Sequence, residues 1–321
     1  MCKKYKIVHI SQTPLVAAPA KVALAQRMSG HETVAIAIKD YPINGPLAGK
    51  FIEDFLIEDE FTKGIIDEAI SKADIIHIHN DLPQEWTTRL LHANQTAKYV
   101  YQVHSPLREG PLYLPRDSSL GLPFSLKLVV GQFQPRIHQD HVFVPNIIHD
   151  TPSVRPRRKG EKLKVIFSPT HLRPGRWNNK YVEQLDTALQ SLVKLGKIEA
   201  IIPDKPVSPK ALMAVRRSCH VSIDEIATGG FHQVSIEGLA AGNVTINKAD
   251  YFSKTVFSTF SNGEKPPFVY ADGESIASTL EDFANDWEKT AEQQLVSYNY
   301  FKKHLTPIKM SSIFDKAYET L

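Results

Sequence analysis

The feature that most constrains this chain is an alternation of short apolar runs with longer amphipathic stretches, interrupted once near residue 150 and then resumed. KIVHIS (6–11), TVAIAI (33–38), ADIIHIHN (73–80) and KYVYQVHS (98–105) are six to eight residues long. That length suits buried strands. Between them lie AKVALAQRMSG, which Gly30 closes as glycine closes many helices, then FTKGIIDEAISKA, and a helical stretch around Glu85 to Ala93. LKLVV and HVFVPN add further strands. Buried strands separated by helices imply a parallel sheet covered on both faces. After a Pro-containing basic segment the rhythm restarts with KLKVIFSP, NKYVEQLDTALQSLVKLG, IEAIIP, SPKALMAVRRS, HVSID, HQVSIEGLAAG and NVTIN. From Glu274 onward the chain reads as helical, broken at Pro307. The expectation is an α/β protein of two Rossmann-like domains facing across a cleft. They span residues 1–150 and 151–321, with the last helix free to cross back to the first.

Composition removes several function classes. With 42% hydrophobic and 23% charged residues the chain is not disordered. No apolar run approaches the ~20 residues that span a bilayer, so no stable membrane insertion is expected. Cys2 and Cys219 are the only cysteines, which excludes a disulfide framework and points to a reducing, cytoplasmic setting. The net charge of +3 is partly concentrated in RPRRKGEKLK. There Arg155, Arg157, Arg158, Lys159, Lys162 and Lys164 face one acid, Glu161. Such a segment is either a solvated connector or a surface for phosphates.

In VSIDEIATGGFHQVSIEGLAAGNVTIN (221–247), a strand ends at Asp224 and the glycines Gly229 and Gly230 precede a helix starting near Phe231 or His232. Paired glycines there let helix N-terminal amides approach an anion such as a diphosphate. Glu237, further along the helix, suits hydroxyls of a sugar or ribose. SPTHLRPGRWNNK (168–180) carries Arg173, Arg176 and Lys180, cations that either clamp a diphosphate or merely flank a helix start. His104 closes the strand KYVYQVHS, as an active-site group or as a polar cap. His77 with His79, and His138 with His141, invite a metal, but no cysteine or carboxylate spacing accompanies them, so none is expected.

These segments together resemble GT-B glycosyltransferases of the group-1, family-4 type. Glu237 to Gly242 is similar to the second half of that family's donor-binding motif, and Gly230 with Phe231 to its turn. Gly229 stands where the family has its first Glu, and His232 where it has Gly, leaving Asp224 or Glu225 to supply a carboxylate. The resemblance implies transfer of a hexose from a nucleotide-diphosphate sugar, a UDP-sugar first, to an acceptor hydroxyl, with retention and without a metal. It implies donor contacts at Arg173, Arg176, Lys180, Gly230, Phe231, His232 and Glu237. Catalytic roles fall on His104 and Asp224. The loop SQTPLVAAP lies where relatives carry a Gly-rich loop, with Ala17 and Ala18 in place of glycine. A glycan, a lipid-linked sugar or a hydroxylated DNA base fits as acceptor. A non-catalytic sugar-nucleotide or glycan-binding module is the other reading.

Overall fold

A computed structural model of the chain describes residues 3–104, 117–169 and 182–321. They fall into two compact units, Met1–His149 with Pro307–Leu321, and Asp150–Thr306.

The first unit contains, in chain order, β1 (Lys6–Ser11), α1 (Ala18–Met28), β2 (Glu32–Ala37), β3 (Leu56–Ile57), α2 (Lys63–Ser71), β4 (Ile75–His79), α3 (Gln84–Ala93), β5 (Lys98–Val103), β6 (Phe124–Val130) and β7 (Val142–Val144). The strands form one parallel sheet in the order β3-β2-β1-β4-β5-β6-β7. The two faces of this sheet differ in chemistry. Val8, Ile10, Ile76, Ile78, Tyr99, Tyr101 and Val103 point to one side, into an apolar cluster with Ile66 and Ile70 of α2 and Trp86 and Leu90 of α3. His9, Ser11, His77, His79 and Gln102 are the polar residues of the same strands, and each is fully buried. Alternation along a strand sends them to the opposite side, where Gln26 of α1 and Tyr318, near the C-terminus, bond to them.

The second unit contains β8 (Leu163–Phe167), α4 (Glu183–Lys194), β9 (Ile198–Ile201), α5 (Pro209–Arg217), β10 (Val221–Ile223), α6 (Gln233–Ala240), β11 (Val244–Asn247), α7 (Tyr251–Ser258), β12 (Val269–Tyr270), α8 (Ile276–Asn285) and α9 (Trp287–His304). The C-terminal helix α10 (Pro307–Tyr318) belongs to the first unit. The second sheet is parallel, in the order β12-β11-β10-β8-β9. Its apolar face packs Val165, Phe167, Ile223 and Ile246 against Leu185 and Leu189 of α4 and Leu280 of α8. The other face carries Ser222, Thr245 and Asn247, all buried beside α6. Gly242 turns the chain at a φ of 63°, and a Cβ there would sit 2.6 Å from the Ser153 carbonyl oxygen. Only glycine fits.

The basic segment divides. Arg157 is buried and donates to the carbonyls of Phe283 (2.5 Å), Ala284 (2.9 Å) and Glu161 (2.9 Å), tying the segment to α8. Arg155 bonds the Glu161 carboxylate at 2.7 Å and Lys164 pairs with Glu199 at 3.3 Å, whereas Arg158, Lys159 and Lys162 remain exposed. Arg157 is therefore internal structure, while the rest of the cluster lies at or near the surface. Among the described residues, no helix is long and apolar enough to cross a membrane.

Candidate active site

In open parallel sheets, ligands bind beyond the carboxyl ends of the strands where the order reverses. In the first sheet this point lies between β1 and β4, and in the second between β8 and β10.

At the first of these, His104 follows β5. Its N–H donates to Asn80 Oδ1 at 2.8 Å, and its carbonyl accepts from Gln134 Nε2 at 2.7 Å. Asn80 just beyond β4 has a φ of 60°, a conformation asparagine tolerates better than most residues. The His104 ring heads a hydrogen-bonded chain. His104 Nε2 lies 2.7 Å from His79 Nδ1, His79 Nε2 3.0 Å from His9 Nδ1, and His9 Nε2 2.7 Å from Gln26 Oε1. Gln26 Nε2 then donates to the Tyr318 hydroxyl at 3.2 Å, which lies 2.7 Å from His77 Nδ1. The parallel register builds this array, setting His9 opposite His77 and Ser11 opposite His79. Burial disfavours the charged imidazole. It brings His9 down to about 4 and His104 to about 3, and holds His77 and His79 well below the usual histidine range. All four rings are neutral at pH 7.

His9, His77 and His79 also bring one ring nitrogen each within 4.8 Å of one another, a spacing that suggests a metal. However, the His77 and His79 rings stack with centroids 4.3 Å apart and planes 16° from parallel. A metal bound to an imidazole nitrogen lies near that ring's plane, and two stacked planes share no such point. The donors His9 and His79 are already hydrogen-bonded to each other. The geometry suits protons better than a metal ion.

The loop after β1 is strained. Leu15, Val16 and Ala17 have φ values of 47°, 55° and 62° with no glycine among them. The left-handed region costs an L-residue roughly 1–2 kcal/mol, and most for a β-branched one such as Val16. Strain of this kind collects at functional loops.

At the second switch point, Asp224 and Glu225 follow β10 and are fully buried. Asp224 Oδ2 accepts from the His232 N–H at 2.5 Å and from the Ser235 hydroxyl at 2.8 Å, and Oδ1 lies 3.3 Å from His232 Nδ1. Glu225 accepts from the N–H groups of Thr228 and Gly230 and from the Thr228 hydroxyl. Gly229 has a φ of 86°, which allows the turn. The amides of Gly230 and His232, expected to meet a phosphate, are thus held by the chain's own carboxylates. The next two, Gln233 and Val234, have no such partner among the described residues. Asp224 thus holds the His232 amide and the Ser235 hydroxyl at the start of α6. Phe231 is buried against Phe257 and Phe268, with centroids 5.1 and 5.2 Å away, so its ring anchors the turn from below. His232 keeps a fifth of its side chain exposed.

Glu237 meets a residue that no sequence motif marks. Arg216, fully buried at the end of α5, donates to Glu237 Oε2 at 3.1 Å, Ser222 Oγ at 3.2 Å and Ser168 Oγ at 3.3 Å. Gln233 Nε2 holds the other Glu237 oxygen at 3.0 Å. The available signal was spacing: Arg216 lies three residues after buried Met213, on the inward face of α5. Arg173, Arg176 and Lys180 lie outside the described residues.

No protein-family model matches the chain, and no curated protein matches it in sequence. Solved structures do match, over nearly their whole length. The chain is 9% identical to an alpha-glucosyltransferase in complex with UDP and a 13-mer DNA containing an HMU base, at a TM-score of 0.71 with 98% of each chain covered. It is 10% identical to an alpha-glucosyltransferase in complex with UDP-glucose and DNA containing an abasic site, at 0.68 with 99% of each covered. A sucrose-phosphate synthase from Thermosynechococcus elongatus is 9% identical at 0.59, covering 99% of this chain and 98% of that one. The fold is therefore that of the GT-B glycosyltransferases, two parallel-sheet α/β units in one chain.

Proposed function

We propose that the chain is a glycosyltransferase that moves a hexose from a UDP-sugar to an acceptor hydroxyl, retaining the anomeric configuration and using no divalent ion. The observation that carries this reading is the end-to-end likeness to structures holding UDP or UDP-glucose. The polar groups gathered at both strand-order reversals support it.

The second unit takes the donor. Glu237 accepts from ribose hydroxyls, and its bonds to Arg216 and Gln233 fix it in place. His232 and the amides of Gln233 and Val234 offer hydrogen bonds to the diphosphate. Arg173, Arg176 and Lys180 supply the fixed positive charge that offsets what develops on the leaving nucleotide. The first unit takes the acceptor, with His104 contacting a sugar hydroxyl.

The test is transfer of label from UDP-[14C]glucose, with and without EDTA, to duplex DNA bearing hydroxymethylated bases and to a glycan panel. Label transfer that survives EDTA is expected, with an axial-type linkage by NMR if the donor is α-linked. Absence of both transfer and UDP release with every UDP- and GDP-sugar would overturn the reading. A DNA acceptor is the second reading, favoured because two of the similar structures contain DNA. It requires labelled DNA and binding that weakens steeply with salt.

A further inference from the structure

The chain of rings in the first unit has a direction, and a single amide sets it. An amide oxygen only accepts, so His9 Nε2, 2.7 Å from Gln26 Oε1, carries a hydrogen. In a neutral ring His9 Nδ1 is then a lone pair, and it accepts from His79 Nε2 at 3.0 Å. His79 Nδ1 is left bare in turn, and accepts from His104 Nε2 at 2.7 Å. On the other side Gln26 Nε2 donates to Tyr318, whose hydroxyl hydrogen goes to His77 Nδ1. The opposite amide orientation would reverse every bond and turn His104 Nδ1 into a donor. No mixed arrangement satisfies all the contacts.

We propose that Gln26, acting through His9 and His79, is a positioning residue that fixes the His104 tautomer with hydrogen on Nε2. Nδ1 is thereby presented as an acceptor to a hydroxyl of the sugar or the acceptor. The inference rests on the reading of His104 as a substrate contact. Its structural basis is separate: Gln26, His9 and His79 are fully buried, whereas His104, half-buried, is the least buried member of the chain. Among the described residues no other group bonds that ring. A buried amide thus controls the hydrogen-bonding sense of a ring three links away, in the way a partner on one imidazole nitrogen sets the state of the other.

Long-range 1H–15N spectra of the full chain, labelled at histidine, report which nitrogen of each ring carries hydrogen, with His104→Ala identifying the His104 signals. In the wild type His104 is expected as a single tautomer protonated on Nε2. Gln26→Met, similar in size but without donor or strong acceptor, is expected to give a mixture at His104 and to lower sugar transfer several-fold. Gln26→Glu, whose buried carboxylate draws a proton onto His9 and so makes His9 Nδ1 a donor to His79, is expected to reverse the chain, with hydrogen on Nδ1 of His104 and lowered transfer. A merely structural role for Gln26 would not separate the two variants in this way. Hydrogen on Nδ1 of wild-type His104, or an unmixed Nε2 tautomer in Gln26→Met, would overturn the relay, and the wild-type spectrum decides this even if a variant fails to fold. Unchanged transfer by His104→Ala alongside the expected tautomers would leave the relay standing and overturn the substrate contact.

Discussion

The two sheets share a plan and differ in what they bury. Each has an apolar face under helices and a polar face at its point of strand-order reversal. In the first unit the polar face holds neutral groups: His9, His77, His79, Gln102 and Ser11. In the second it holds charges, Arg216 against Glu237 and Asp224 and Glu225 against backbone amides. Neutral imidazoles can hand hydrogen bonds along a chain and meet hydroxyls. Fixed charges suit a nucleotide, whose ribose and phosphates need preset acceptors and donors. The difference teaches that one fold plan can carry two unlike sets of buried polar groups by the choice of residues on one face of each sheet.

The contrast can be broken most sharply in the second unit. Removing one member of a buried ion pair strands the other charge, typically at a cost of about 3–5 kcal/mol. Glu237→Ala should lose stability on that scale in urea unfolding, whereas the double change Arg216→Met with Glu237→Leu should recover most of it. A single variant that unfolds at the wild-type urea midpoint would mean that the pair is not buried as described.

The first unit should respond to acid instead. His9 has a folded value of about 4 against an unfolded value near 6.5, so the unfolded chain binds the proton first as pH falls. Stability is complete above pH 6.5 and declines below it. At pH 5, still above the range of ordinary carboxylates, the loss from His9 alone is about 2 kcal/mol. Unfolding midpoints measured between pH 7 and pH 5 check this, and His9→Asn should lessen the decline without abolishing it, since His77, His79 and His104 are also held low. A smaller effect of opposite sign is expected in the loop after β1. Val16→Gly relieves a left-handed β-branched residue and should raise stability by about 1 kcal/mol, read as a higher thermal midpoint.

Much of the fold was legible because most strands are short apolar runs and several helices are periodic stretches, two of them closed by a glycine, at Gly30 and Gly196. The site was less legible. His77 and His79 alternate with isoleucines and read as edge residues of a core, but their burial depends on Gln26 and on Tyr318, which is 241 residues beyond His77. Spacing along one segment carries no such information. The glycine pair ahead of α6 correctly marks a turn, yet nothing in the order of residues tells that Asp224 and Glu225 fold back onto its amides. Arg157 reads as one cation in a basic run and is instead a buried bridge to α8, because its carbonyl partners Phe283 and Ala284 arrive from a distant helix.

The central claim is that the second unit holds a nucleoside diphosphate with Glu237 on its ribose. Calorimetric titration of UDP into the full chain and into Glu237→Gln tests it most directly, with circular dichroism confirming that the variant is folded. Binding of one UDP per chain is expected in the wild type, weakened at least tenfold in the variant, a change of about 1.4 kcal/mol or more. No binding to the wild type, or equal affinity in the two proteins, would contradict it.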